Sequence, residues 1–132
     1  APPPKSCGRD QFNLDWLQGL LIGDEEPVDV QATLAVLMAA SIADAIDRWC
    51  SRPDELLVCG GGAHNATIMA GLAARLPGAM VDKTDAAGVP ADWVEALAFA
   101  WLGKQTLDGR PGNLPEVTGA CGLRVLGAVY PA

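Results

Sequence analysis

The longest regular pattern of apolar and polar positions covers residues 28–49. Its apolar residues recur at spacings of three and four, which is typical of an amphipathic α-helix with a wide buried face. Shorter stretches predict helices over residues 10–21 and 64–76. A fourth helix is predicted over residues 91–107, because Pro90 stands just before it and its large apolar residues share one face.

Three short apolar runs predict β-strands. Residues 55–59, ELLVC, lie between Pro53 and a run of glycines and fit a strand that is covered on both faces. Residues 79–81 and 123–130 predict two more strands. Because helices alternate with strands, we expect an α/β protein with crossover connections, in which few short strands are flanked by helices and two strands run parallel.

Composition and charge limit the classes of function. The 132 residues have the size of one domain, and 50% of them are hydrophobic, so a folded domain is expected. The net charge of -7 is spread along the chain, which argues against a nucleic-acid or anionic-membrane surface. The apolar residues 34–46 are interrupted by Ser41 and Asp44 and fall short of the ~20 that a membrane helix needs. We therefore expect neither nucleic acid nor membrane as a partner.

Cysteine and histidine usage argues against a metal centre in this chain. The four cysteines lie far apart, and with one histidine there are too few ligands for a standard zinc site. We interpret the cysteines as reduced thiols of an intracellular protein.

Two features predict that the chain is part of a larger protein. It begins with Ala1 rather than methionine, and a run of prolines follows. Three short strands are also few for a sheet that must be covered on both faces, and they leave an unprotected edge. We expect this edge to pair with strands from another part of the protein.

A run of three glycines, Gly60, Gly61 and Gly62, stands between a predicted strand and a predicted helix. Such a turn can open a nucleotide-type site, because bare backbone at the end of a strand lets a flat ligand approach. It can equally be a tight turn that permits close packing of helix and strand, since the run matches neither the dinucleotide fingerprint nor the phosphate-wrapping loop. His64 is interpreted as a hydrogen-bond donor to a nearby carbonyl, and Asn65 as a helix cap or a contact to a sugar hydroxyl.

Charged residues near the starts of the predicted helices 10–21 and 91–107 are candidates for a sugar or anion site. Asp92 and Glu95 are one helical turn apart and can face the same cleft, although acidic residues are also favoured in any first turn. Lys5 and Arg9 could bind a carboxylate or phosphate, or could be ordinary solvated charges. Three aromatic residues are interpreted as core rather than as sugar-stacking platforms: Trp93, Phe99 and Trp101.

Four blocks together resemble the C-terminal part of the anhydro-N-acetylmuramic acid kinase family. They span nearly the whole chain in the family's order and read PPKSCGRDQFNLDWL, LLVCGGGAHNATIMAGLAARLPG, TDAAGVPADWVEALAFAWL and GNLPEVTGACGLRVLGAVYP. The resemblance implies part of a ribonuclease-H-like lobe of the actin and hexokinase type, so that residues 1–132 would belong to the C-terminal lobe of a two-lobe kinase. It also implies a cytoplasmic homodimer that recycles cell-wall sugar. Such an enzyme opens the 1,6-anhydro ring of its sugar with water and phosphorylates O6 with ATP.

The resemblance assigns roles to residues of this chain. The adenosine of ATP would lie on Gly60, Gly61, Gly62 and Ala63, with Asn65 nearby. Glu95 would hydrogen-bond the sugar or assist proton transfer, and its helix is expected to open beside the TDAAG loop and not beside the glycines. Asp92, Lys5 and Arg9 complete the expected substrate contacts.

Other parts of the family pattern are missing from this sequence. The G-T-S-x-D-G phosphate loop and the aspartate that activates water have no counterpart, so Mg²⁺ and the phosphates would be bound mainly by residues outside the chain. Cys7 and Asp10 replace the family's usual threonine and glutamate. We therefore expect the isolated chain to be inactive. The alternatives are a stand-alone nucleotide-binding or regulatory module and a non-binding interaction domain.

Overall fold

A computed structural model of the chain describes residue 8, residues 10–50 and residues 52–130. The described residues form two compact units, one of residues 25–95 and one of the residues up to 24 together with those from 96 onward. The elements in chain order are α1 (Leu14–Gln18), α2 (Pro27–Trp49), β1 (Glu55–Val58), α3 (Ala66–Arg75), β2 (Met80–Lys83), α4 (Val94–Leu107) and α5 (Pro115–Thr118).

The unit of residues 25–95 has the predicted α/β character. Strands β1 and β2 pair in parallel, with Glu55 opposite Met80 and Val58 opposite Lys83. Parallel strands need a crossover, and α3 supplies it. The predicted parallel pair is therefore confirmed.

The core of this unit lies between α2 and α3. It consists of Ala39, Ile68 and Leu72, and side chains of both strands pack against it. The helices approach closely at Gly71, where a β-carbon would lie 2.9 Å from Cβ of Ala39. Glycine at this position is required by the narrow space between the two helices.

Helix α2 matches its predicted range closely, but much of it is exposed. Only Ala39 and Ala43 are buried, whereas Val36, Leu37 and Met38 are each about half exposed. Within the described residues, α2 is also the one helix long and apolar enough to cross a membrane. The prediction that the apolar stretch in this region is too short for a membrane helix is therefore wrong. This is weak evidence for a membrane helix, since the core helices of soluble proteins pass the same test.

The other unit contains less regular structure than the sequence predicts. The helix expected over residues 10–21 is confined to Leu14–Gln18, where Asn13 caps it by accepting a hydrogen bond from the Trp16 N–H. The prediction of a strand over residues 123–130 is wrong, because these residues form no strand in the described chain. A strand requires a paired neighbour, and here Asn113 instead binds the backbone of Gly122 and Arg124.

The aromatic residues expected in the core are exposed. Trp93, Phe99 and Trp101 each expose more than half of their surface. The core prediction is therefore wrong for the described chain, because no described element covers these side chains. The described cysteines, Cys50, Cys59 and Cys121, are free and exposed.

Candidate functional site

The candidate site lies at the edge of the sheet where both strands end. The register places Val58, the last residue of β1, opposite Lys83, the last residue of β2. The segments that follow the two strands therefore leave the sheet side by side. This is the edge at which open α/β sheets bind ligands.

The glycine turn, residues 60–64, follows β1. Gly60 has φ of 71°, a conformation that favours glycine, and Gly61–His64 forms a 3-10 turn. A β-carbon at Gly61 or Gly62 would meet no described heavy atom within 4 Å. Close packing of helix on strand therefore does not explain these two glycines within the described chain. Ala63 is buried as a whole residue, so neither its methyl group nor its backbone is open to a ligand in the described chain.

Asn65 connects the glycine turn to α3. Its Oδ1 accepts hydrogen bonds from the backbone N–H groups of Thr67 at 3.0 Å and Ile68 at 3.2 Å. The interpretation of Asn65 as a helix cap is thus confirmed. Its side chain remains exposed beside the turn.

The start of α4 is fixed to both neighbouring loops through Ala91. The Ala91 N–H donates to Oδ2 of Asp85 in the TDAAG loop at 3.1 Å, and its carbonyl accepts from the Gly60 N–H at 2.9 Å. The expectation that this helix opens beside the TDAAG loop is therefore confirmed, whereas the expectation that it does not open beside the glycines is wrong. The parallel register brings the two loops together, so the helix starts between them.

His64 binds a carboxylate rather than the expected carbonyl. Its Nε2 lies 2.8 Å from Oδ1 of Asp92, and its Nδ1 lies 3.4 Å from Nζ of Lys83. The His64 and Asp92 side chains are 51% and 65% exposed, so water and small ligands reach the pair. The sequence reasoning missed Lys83. The available signal was its place at the end of a strand paired in parallel with the strand before the glycines.

Glu95 lies in the first turn of α4, three residues after Asp92. It is exposed, and its side chain has no hydrogen-bond or ion-pair partner within residues 8, 10–50 and 52–130, so its carboxylate is available to a ligand. Asp92, in contrast, is engaged by His64. Lys5, Arg9 and Cys7 lie outside the described residues.

No group of three or more metal-ligating side chains occurs in the part of the chain that the structure describes. The site therefore presents open backbone, an imidazole, a lysine ammonium and two carboxylates. These groups can hydrogen-bond a polar ligand and can hold or exchange a proton.

Comparison with known proteins agrees with the resemblance. The model of the family described as anhydro-N-acetylmuramic acid kinase matches residues 1–132. Proteins of that name from Nitrosomonas europaea and Nitrosospira multiformis are each 55% identical over 131 residues, which is 99% of this chain and 36% of theirs. The protein of the same name from Xylella fastidiosa is 54% identical over 132 residues, which is 99% of this chain and 35% of its own length. The chain thus spans about a third of the length of these relatives, and it belongs to the anhydro-N-acetylmuramic acid kinase family.

Proposed function

We propose that this chain is the C-terminal part of an ATP-dependent anhydro-N-acetylmuramic acid kinase and supplies the adenosine cradle and part of the sugar pocket. In the proposed reaction, water loses a proton to a base as it adds to the anomeric carbon, and the bond from that carbon to O6 breaks. O6 then takes the γ-phosphoryl group of ATP, whose bond to the β-phosphate breaks and releases ADP. The product belongs to cytoplasmic recycling of cell-wall sugar.

The observation that carries the proposal is the open backbone of the glycine turn. Gly61 and Gly62 have free space where a side chain would stand, and they lie at the ligand-binding edge of a parallel sheet. A flat adenine or ribose can lie against such a surface without steric hindrance. The start of α3 adds the positive end of a helix dipole to the same edge, although its Thr67 and Ile68 N–H groups are already bound by Asn65.

The sugar contacts in this proposal lie at the start of α4. Glu95 hydrogen-bonds the sugar or assists proton transfer, since its carboxylate is exposed and unpaired in the described chain. Asp92 is the second sugar contact at this helix start. The assignment of Lys5 and Arg9 as anion contacts stays a prediction from the sequence. Activation of water and binding of Mg²⁺ and the phosphates belong mainly to residues outside this chain.

The small sheet supports the proposal that strands from another part of the same protein pair with it. The described sheet has only two strands, so each strand has one unpaired edge. Three or more strands are normally needed for a stable sheet, and we propose that additional strands complete a ribonuclease-H-like lobe here. The apolar residues exposed on α2 favour a homodimer, which sedimentation of the complete protein at several concentrations would detect.

The test compares the complete protein with the 132-residue chain. Each is incubated with ATP, Mg²⁺ and anhydro-N-acetylmuramic acid, and mass spectrometry follows the gain of one water and one phosphoryl group. The complete protein should form this product, whereas the chain alone should bind nucleotide weakly without turnover. Turnover by the chain alone would contradict the assignment as a part. Nucleotide binding without turnover by the complete protein would favour the regulatory module.

A further inference from the structure

We propose that His64 is a positioning residue that couples nucleotide occupancy of the glycine turn to the affinity of the sugar pocket, acting through Asp92 and the start of α4. This inference rests on the proposed function, because it takes the turn as the adenosine cradle and Glu95 as a sugar contact. It concerns how the two parts of the site communicate.

Both ends of the glycine turn are attached to consecutive residues. Gly60, at its start, donates its backbone N–H to the carbonyl of Ala91, and His64, at its end, binds the carboxylate of Asp92. Ala91 and Asp92 belong to the 3-10 turn Ala91–Trp93, which continues directly into α4. A ligand that shifts the glycine turn therefore shifts the start of α4 with it.

Glu95 is close enough to this attachment to respond. It lies three residues after Asp92, which is about one helical turn, so the two carboxylates are on the same side of the helix start. The Gly60 contact fixes only a backbone position. The His64 contact engages the Asp92 side chain and can thereby set the orientation of the face that bears Glu95.

Lys83 selects the tautomer in which His64 performs this role. A lysine ammonium has donors only, so its contact with Nδ1 at 3.4 Å requires that this nitrogen accept. A neutral imidazole then carries its proton on Nε2, which is the nitrogen that lies 2.8 Å from the Asp92 carboxylate. The three side chains therefore form a directed chain of hydrogen bonds from Lys83 through His64 to Asp92.

The positioning role differs from a structural one in its consequences. The His64–Asp92 pair is exposed, and exposed pairs contribute little to stability. Removal of the imidazole should thus leave the melting temperature nearly unchanged while the two ligands lose their mutual effect. A residue needed only for folding would show the opposite result.

The experiment measures sugar affinity of the complete protein with and without a saturating non-hydrolysable ATP analogue. In the complete protein without substitutions, the analogue should tighten sugar binding roughly fivefold or more, which is the lower end of the coupling usually found between allosteric sites. In His64→Ala this ratio should fall to near one, and in His64→Gln it should largely recover, because the amide can donate to Asp92. Lys104→Met is the control, since it removes a second surface pair, Lys104–Asp108, at the C-terminal end of α4.

A second variant approaches the link from its other end. Asp92→Ala should also reduce the ratio to near one, and the double variant with His64→Ala should lose no more than either single change, because both remove one interaction. Nitrogen-15 spectra of the complete protein test the tautomer. The imidazole signals of His64 are those that disappear in His64→Gln, and they should show the Nε2–H tautomer.

The outcomes separate this inference from the proposed function. If the parent protein binds neither ligand, the proposed function is wrong. If it binds both ligands but without mutual effect, or if His64→Ala keeps the parent ratio, the positioning role is overturned and the proposed function stands. An Nδ1–H tautomer would overturn the role of Lys83.

Discussion

The backbone N–H of Gly60 donates a hydrogen bond to the carbonyl oxygen of Ala91 over 2.9 Å. This bond joins the glycine turn to the start of α4, so the two regions that the resemblance assigns to nucleotide and to sugar are neighbours in one site. A substitution in either region can therefore act on the other. Each functional test accordingly needs a control substitution of the same kind outside the site.

A side chain in the glycine turn should weaken nucleotide binding more than stability. Gly61→Val places a branched side chain in space that is open in the described chain, where we propose that adenosine lies. We expect the KM for ATP of the complete protein to rise roughly tenfold, equivalent to about 1.4 kcal/mol of binding. The melting temperature should move little.

Gly78→Val is the matched control for that substitution. Gly78 is exposed, has no described heavy atom within 4 Å of its would-be β-carbon, and lies in the loop before β2 at the opposite edge of the sheet. It should leave the KM for ATP unchanged. If Gly61→Val unfolds the protein while the surviving fraction binds ATP normally, the glycine has a structural purpose and the adenosine cradle is wrong.

Asn65 offers a way to separate a cap from a ligand contact. Asn65→Ala removes the acceptor of two backbone N–H groups and should cost about 1 kcal/mol in the free energy of unfolding. Asn65→Ser restores a capping oxygen but has no side-chain amide. Denaturant unfolding and ATP titration of both variants measure the two effects.

The two variants give different results for the two interpretations of Asn65. If the residue also contacts the ribose, Asn65→Ser should recover stability while ATP affinity stays low. Recovery of both quantities would mean that Asn65 is a helix cap alone.

The closest helix contact should be the most sensitive packing position in the unit of residues 25–95. Gly71→Ala would bring its β-carbon to 2.9 Å from Cβ of Ala39, a fully buried atom that cannot swing away. Overpacking of this kind costs about 1 to 3 kcal/mol. Urea unfolding should show a lower midpoint, and the additional substitution Ala39→Gly should recover part of the loss. Gly78→Ala, in open space, should change stability by less than about 0.5 kcal/mol.

The sequence predicts well those elements whose formation depends on local residue spacing and not on a pairing partner elsewhere in the protein. Residues 28–49 were expected to be helical and the structure has Pro27–Trp49, because repeated apolar spacing over several turns is a strong signal and Pro27 fits the first turn. The stretch 123–130 is equally apolar but forms no strand in the described chain. An apolar run cannot reveal whether a partner strand exists, since pairing depends on the rest of the protein.

The residues of the candidate site show the same distinction. The glycine run was recognised because three adjacent glycines are conspicuous in the sequence. The contact of His64 with Asp92 does not follow from the sequence, since they are 28 positions apart and their meeting depends on the parallel register of β1 and β2. Pairwise contacts of this kind follow from topology, which local patterns describe only in outline.

Glu95 should act on turnover rather than on nucleotide affinity. Glu95→Gln keeps the size of the side chain and removes the charge and the proton-transfer capacity of a carboxylate that is exposed and unpaired in the described chain. We expect kcat of the complete protein to fall about 100-fold, as is typical for a group that assists acid–base chemistry, with little change in the KM for ATP.

Two controls determine whether an effect at Glu95 is specific. Glu116→Gln changes another exposed first-turn glutamate, in α5, and should leave kcat unaltered. Asp92→Asn keeps an oxygen that can accept from His64, so it should reduce kcat less than Glu95→Gln does. Equal and small effects of all three substitutions would mean that the acidic residues at the start of α4 serve only to stabilise the helix through its dipole. That contribution is about 0.3 to 1 kcal/mol at an exposed first turn. Glu95 would then no longer be a candidate for the sugar pocket.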